Sequence, residues 1–435
     1  EKVPTGQLMQ AVQGKAAGVQ ISSLGSPGES PEIIIRGVNS VYGDSTPLFV
    51  VDGVFFDSID FLNASEIESM SILKDASASA IYGVEASNGV ILITTKGGKF
   101  NKNASITYTG YTGVQTAQNV LQMANSEQFV NFALESGSES EIASVASAMQ
   151  RFGRSRVNPN VPDVNTDWYD EVLRKAMTQN HDISIDGGSE NIAYSVGGNF
   201  FYQDGILDMK NSYERFNLRT KLDIKANDWL KVGGSMVYSN ATKFNDEASA
   251  WQLAYFAVPI LPVYDYLYTE ADPLPYSDAR EIGYRSNQNP FPTMDNSDLR
   301  SKIRRTVANF YADFQLIPEQ LNFKTSLSYN HAGTTGRNVY LPYYVTDDYQ
   351  RSVEESSITR SQATDESYVF DNVLTFQNTF GEHDLTLMGG MSYRDNYYSY
   401  FGTTGYFDPS GAFVRDKEQT WYIENTSTDS QTSYD

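Results

Sequence analysis

From about residue 104 onward the chain repeats one pattern, segments of ten or more residues in which apolar and polar side chains alternate. In "RFNLRTKLDIKA", Phe216, Leu218, Leu222 and Ile224 take one parity, and Arg215, Asn217, Arg219, Lys221, Asp223 and Lys225 take the other. Successive side chains of a strand point to opposite faces, so a period of two predicts extended strands with one oily and one charged face. "LNFKTSLSYN" and "VANFYADFQL" repeat the pattern, and similar segments cover roughly 104–117, 179–187, 192–203, 229–242 and 367–396.

The connections alternate as well. Short turns at 187–191, 226–228, 318–320 and 381–383 interleave with long polar segments at 118–178, 244–300 and 335–366, and 204–211 is intermediate. Short turns on one side and long loops on the other predict an outer-membrane barrel with its short side in the periplasm. A large soluble sandwich shares the alternation, but its strands are usually nearer about 5 or 6 residues, and these runs are longer. The 29 Tyr and 23 Phe suit aromatic girdles. No apolar run approaches the roughly 18 residues of a membrane helix, which excludes a helical span and leaves a barrel open. Within the long segments, Asn125 is placed to cap a helix over "SEQFVNFALE", and Ile142, Val145, Ala146 and Met149 have helical spacing. "PILPVYDYLY", "NPFP" and "LPYY" mix Pro with aromatics, which suits either ligand stacking or packing of loop on loop.

Residues 1–99 follow a different grammar and predict a small α+β domain ahead of a barrel part over 100–435. Leu8, Val12 and Ala16 share one helical face, with Gly18 near its end. The runs "VQIS", "EIIIRG", "PLFVVDG", "SMSILKD" and "GVILITTK" predict short strands. The pairs Asp52-Gly53 and Asn88-Gly89 predict turns. In "LKDASASAIYG", Asp75 can cap a short helix that Gly83 ends, and Ala76, Ala78 and Ala80 make it thin enough to lie close against a wall.

Chemistry of other kinds is excluded piece by piece. Lys and Arg number 32 against 54 Asp and Glu, and a net charge of -22 opposes nucleic acid. There is no Cys, and the three His are far apart, so no metal site is assigned. "DVNTDWYDEVLR" starts like a calcium loop at Asp163, Asn165 and Asp167, but Trp168 stands where the Gly is needed and Arg174 where the bidentate Glu is needed. Phosphate-binding and nucleophile motifs are missing too, so no catalytic residue and no cofactor is assigned.

The motifs "VQGKAAGVQI", "IIIRGVNS", "PLFVVDGV", "IESMSILKDASASAIYG" and "ASNGVILITTKGG" together resemble the plug of TonB-dependent outer-membrane transporters, in the SusC-like branch of Bacteroidetes. Plugs of siderophore and cobalamin transporters usually carry Arg-Gly-Pro where this chain has Lys74-Asp75-Ala76. The resemblance implies an α+β plug inside a membrane β-barrel of about 22 strands, located in the cell outer membrane and surrounded by its lipid. It also implies a SusD-like surface lipoprotein and the TonB complex as partners, with an oligosaccharide or peptide as substrate. Arg36, Gly37, Asp52, Gly53, Lys74, Asp75, Tyr82, Gly83, Asn88 and Gly89 are then plug architecture and plug-to-wall contacts, with no substrate-contacting residue assigned. No TonB box precedes Glu1, and nine or ten strands at about 33 residues each make about half of such a barrel, so a processed or truncated piece is expected. The competing readings are a siderophore or vitamin receptor of the same family, and a soluble β-sheet carbohydrate-binding or adhesion protein.

Overall fold

The computed structural model describes residues 9–22, 25–35, 37, 46–74, 84–153, 163–245, 249–266, 276–279, 289–343, 356–406 and 425–434. Strands β1 (Val19–Ser22) and β2 (Glu32–Ile35) pair antiparallel. A second small sheet holds β3 (Leu48–Val51), β4 (Val54–Phe56), β5 (Ile67–Leu73) and β6 (Val90–Thr95) in the order β4-β3-β6-β5, with β3 and β6 parallel. Every residue of β3 is buried because both faces of this sheet are covered. Phe49, Val51, Ile91 and Ile93 pack with Phe56, Phe61 and Leu62, while Leu48, Val50 and Val90 surround Ala86. The expected helix over Leu8, Val12 and Ala16 is not formed as such. Its described part is a single 3-10 turn, Met9–Val12, and the chain leaves it at Gly14, whose φ of 73° ends helical hydrogen bonding. Leu8 and residues 75–83, the thin helix, lie outside the described residues.

Among the described residues after β6, ten strands form one antiparallel meander in sequence order. These are β7 (Lys102–Gln115), β8 (Ala176–Gly188), β9 (Ile192–Asp204), β10 (Ser212–Asn227), β11 (Leu230–Phe244), β12 (Ser297–Ile317), β13 (Leu321–Tyr340), β14 (Ser357–Phe380), β15 (His383–Tyr406) and β16 (Asn425–Tyr434). The tight turns fall where the sequence predicts them, and all longer connections gather at the opposite end. One expected loop is corrected. Residues 335–340 and 357–366 are strand, leaving only 341–356 between β13 and β14. There the ladder is polar apart from Val339 and Ile358, which are buried with Leu341, so the hydrophobic alternation fades while main-chain pairing continues.

The inner face of the meander wraps the small sheets. Phe216 and Leu222 on the outer face of β10 are 47% and 44% exposed, whereas Arg215, Asn217 and Arg219 on its inner face are 2%, 0% and 2% exposed. Charged residues are thus buried and apolar ones uncovered, the inverse of a soluble sheet and the expected arrangement for a wall in lipid.

At the loop end, two helix-bearing connections fold into one unit with the β9–β10 link. Helices Ser126–Ser136, Glu139–Phe152 and Trp168–Val172 from the first, and Ala250–Phe256 and Phe291–Asp295 from the second, share a core that includes Phe152, Trp168, Val172, Leu207, Ile260 and Met294. Asn125 caps the first helix through a capping box with Gln128, as its position predicts. Trp168 Nε1 donates to the Val258 carbonyl at 2.9 Å, and Arg151 pairs with buried Asp265 at 2.7 Å. Much of the Pro and aromatic content of these loops therefore packs loop on loop, with Ile260, Leu261, Tyr276 and Phe291 all buried.

A Lys at Leu222 tests the outer face. Leu222→Lys is expected to destabilise the complete barrel by about 2 to 4 kcal/mol in lipid, measured by urea unfolding in vesicles. A loss no larger than that of Leu222→Ala would put this face in water.

Candidate functional site

The interface between residues 9–95 and the meander is polar at its centre. It starts from a local signal: Asn63-Ala64-Ser65-Glu66 is a capping box around the 3-10 helix Ala64–Glu66. The Asn63 side chain accepts from Ser65 N at 3.0 Å, and Glu66 Oε2 accepts from Asn63 N at 2.7 Å. Both side chains are buried, and each also faces the wall. Asn63 Nδ2 donates to Asn180 Oδ1 at 2.8 Å on β8 and to Asn199 Oδ1 at 3.1 Å on β9, while Asn199 Nδ2 donates to Asn180 Oδ1 at 2.9 Å. Asn217 Nδ2 on β10 donates to Glu66 Oε2 at 3.0 Å and to the Phe61 carbonyl at 2.8 Å.

The inner row of β10 extends this contact along the small sheet. Arg215 donates to the Asp60 carbonyl and Arg219 to the Lys96 carbonyl. Lys221 Nζ reaches the Thr95 carbonyl at 3.4 Å and Asp52 at 3.7 Å. Arg305 of β12 lies 5.0 Å from the Phe61 ring centre and donates to the Ser58 carbonyl at 3.4 Å. Gly28 sits against the wall so closely that a Cβ there would fall 2.2 Å from the Tyr213 ring. Burial pushes the Glu66 carboxyl above the usual range, opposed by the Arg215 charge and by its bond from the Asn63 N–H.

Beside these contacts, the wall and the small domain leave a cavity of about 460 Å³, lined among others by Asp52, Lys221, Asp223, Lys231, Tyr311 and Lys324. A second, of about 350 Å³, lies by Phe55, Arg305, Asn330, Asp365 and Arg394. The small domain is held at a polar seam and does not fill the lumen.

The motif residues occupy several places. Asp52 and Gly53 form the β3–β4 turn, with φ of 49° and 91°. Asp52 accepts from Thr95 N at 3.0 Å and from Thr95 Oγ1, and it meets the wall through Lys221. Lys74 Nζ donates to the Ala17 carbonyl, tying β5 to the turn before β1. Asn88 ends the 3-10 helix Val84–Asn88 and donates to the Thr46 carbonyl at 3.5 Å. Gly89 has φ of 95°, and a Cβ there would lie 2.9 Å from Ile35. Gly37 is exposed with φ of 93°. Arg36, Asp75, Tyr82 and Gly83 lie outside the described residues. Sequence reasoning missed Asn63, Glu66, Asn180 and Asn199; the capping-box spacing was the one signal that pointed to the first two.

Comparisons with known proteins agree with this architecture. Residues 1–90 match the TonB-dependent Receptor Plug Domain. TonB-dependent receptor P3 of Formosa agariphila is 31% identical over 406 residues, which cover 90% of this chain and 37% of that protein. TonB-dependent receptor SusC of Bacteroides thetaiotaomicron is 28% identical over 376 residues, covering 79% of this chain and 35% of that protein. These relatives are transport receptors, not enzymes. The chain thus spans little more than a third of the length of the curated relatives it matches. The RagAB peptide importer in its open-open state superimposes with a TM-score of 0.77 at 22% identity, over 99% of this chain and 50% of that one, which shows a shared fold. The ferric citrate transporter FecA gives 0.54 at 12% identity, covering 100% of this chain and 50% of that one.

The raised Glu66 value has a sign. The seated carboxyl takes up a proton at higher pH than the free side chain, so its contribution to seating is complete below the unfolded glutamate range and falls as pH rises through the raised value. Urea needed to expose residues 46–95 to protease in the complete receptor is expected to increase from neutral to mildly acidic pH. Glu66→Gln keeps an acceptor and should flatten that dependence. Glu66→Ala should weaken seating by about 1 to 3 kcal/mol for each donor left without an acceptor. An unchanged pH slope in Glu66→Gln would remove Glu66 as its source.

Proposed function

Because residues 1–90 are a TonB-dependent receptor plug domain and the chain as a whole is homologous to SusC and other TonB-dependent receptors of the outer membrane, we propose that the complete protein imports oligosaccharides or peptides across that membrane. In this reading residues 1–99 are the plug and 100–435 the first part of the barrel. The long connections lie outside the cell, where a SusD-like lipoprotein meets them, and TonB supplies the force that moves the plug. The ten motif residues keep the plug's shape and its fit to the wall.

The observation that supports transport best is the chemistry of the seam. A plug that must move and reseat cannot be held by a continuous apolar core, since exposing that area to water costs about 25 cal/mol per Å². Here the centre of the contact is Asn63, Glu66 and main-chain carbonyls bonded to Asn180, Asn199, Arg215, Asn217 and Arg219. Water can take over each of those bonds as it opens, so the net cost of parting is about 0.5 to 1.5 kcal/mol per ordinary bond. The flanking cavities give substrate a place to widen a path between plug and wall.

Two substrate classes stay within this reading. The resemblance of the plug motifs to the SusC-like branch implies an oligosaccharide or a peptide, and the fold shared with a peptide importer fits a peptide. Uptake of each class by cells with and without the gene separates them.

The chain contains no Cys, so an introduced pair reports cleanly. Asn63→Cys with Asn199→Cys is expected to stop uptake under oxidising conditions and to restore it on reduction. Continued uptake with the bridge fully formed would mean that this part of the plug stays in place. An epitope in 245–296 should be reached by antibody on intact cells, and access only after membrane rupture would invert the orientation.

A further inference from the structure

The outer face of the wall carries a row of cations at the loop end, in a chain whose net charge is -22. Arg300 of β12, Arg337 of β13 and Arg360 of β14 are direct cross-strand partners, so three guanidinium groups lie side by side on one face. Lys302 and Arg304 continue down β12 on that face, both exposed. Their outward direction follows from the ladder. Phe310, of the same parity, is 60% exposed, while Arg305 and Val307, of the opposite parity, meet the plug. On the other flank Phe244 pairs with Arg300, and Lys210 Nζ stands 4.4 Å over the Phe244 ring.

Like charges directly opposite on neighbouring strands destabilise a sheet, and here two such pairs are adjacent. Buried Asp298 answers part of this charge, at 3.1 Å from Arg337 and 3.7 Å from Lys210. Among the described residues, Arg300, Lys302, Arg304 and Arg360 have no carboxylate within ion-pair distance.

The height of the row identifies what it meets. Below Tyr329 and Tyr368, which stand level with Ala308 with rings 4.9 Å apart, the outward positions of β12 are Phe310, Ala312, Phe314 and Leu316, so an apolar band about 25 Å tall is centred near Ala312 with the two Tyr at its upper edge. At about 3.4 Å per residue and about 45° of tilt, Arg304 stands about 19 Å above Ala312 along the membrane normal and Arg300 about 29 Å above it, which is about 7 and about 16 Å above the band. The row therefore lies in and above the headgroup layer, over the lipid-facing surface.

We propose that Arg300, Lys302, Arg304, Arg337 and Arg360 form a site for the phosphate-bearing headgroup of an outer-leaflet glycolipid. Planar guanidinium groups bind phosphate oxygens in pairs, and an anion inserted between them converts the cross-strand repulsion into attraction. The site rests on the proposed orientation, with long connections outside the cell. It fixes the depth of the barrel and gives the loop end a lipid collar.

The test uses the complete receptor in detergent and three probes: lipopolysaccharide, the same glycolipid with its phosphates removed, and inorganic phosphate. Lys302→Gln/Arg304→Gln/Arg360→Gln changes exposed side chains without ion-pair partners, and Arg304→Lys/Arg360→Lys keeps the charge as a folding control. Wild type should bind intact glycolipid at least tenfold more tightly than the triple variant. Removing the phosphates should bring wild type down to the variant's level, and the Lys variant should fall between. Equal binding of intact glycolipid by wild type and triple variant overturns the proposal. So does saturation by inorganic phosphate alone, which would mark a soluble-anion site, and so does loss in the triple variant of an acidic protein partner with glycolipid binding intact. An epitope in 245–296 reached only after membrane rupture overturns the orientation and the proposal with it, whereas normal epitope access with unchanged glycolipid binding overturns the proposal alone.

Discussion

Arg215, Asn217, Arg219 and Lys221 leave β10 at alternate positions, and each donates to a main-chain carbonyl of the plug, at Asp60, Phe61, Lys96 and Thr95 in turn. That row fixes three things together. It sets which parity of β10 faces inward, and thereby which faces lipid. Neighbouring strands pair with β10 without a bulge across this stretch, so their parity follows. It also sets where the plug sits, because the accepting carbonyls belong to the loop before the Asn63 capping box and to the end of β6. A slip of β10 by one residue would turn the charged row to lipid and the apolar row to the plug.

The parts of the seam differ in kind. Apolar contact between plug and wall is confined to patches such as Val237 and Val307 against the plug core. The Asn and Glu66 bonds supply direction, since an amide or carboxylate in the wrong place leaves a buried polar group unpaired. Such a seat is specific without being adhesive. The plug's own core of Phe49, Val51, Ile91, Ile93 and Leu62 is continuous and apolar, so the plug keeps its internal shape better than its attachment.

Much of this was legible in the sequence because its cause is local. A period of two needs only neighbouring residues, so strands β8 to β12 and the tight turns could be read directly. Asp52 and Gly53 announce a hairpin because few residues accept positive φ, and Asn125 announces a helix start because its side chain replaces a missing acceptor. The seam was hidden because its members come from Asn63 through Asn217 and meet only after the wall has closed around the plug. Its acceptors are largely carbonyls, which every residue carries, so side-chain identity leaves no trace of them. The upper parts of β13 and β14 were misread for another reason. Without lipid on one side and plug on the other, Thr334 to Asn338 need no oily face, and strand pairing is the one pattern left.

Strands β14 and β15 are each 24 residues long, although a tilted strand crosses a bilayer in about 9 to 11. At about 3.3 Å per residue and about 45° of tilt they rise about 56 Å, some 30 Å more than the apolar band requires. The wall is therefore a chimney on this side. Asn372 of β14 is level with Ala312, and the fifteen residues from it to Ser357 rise about 35 Å, so about 22 Å of the excess stands above the apolar band on the loop side. Any lipid-anchored protein that meets this rim needs a tether able to climb the same distance. Fully stretched, about seven residues suffice; as a flexible coil of ordinary dimensions, the tether needs about sixteen. The length of a wall strand thus sets a minimum length for a segment in a different polypeptide.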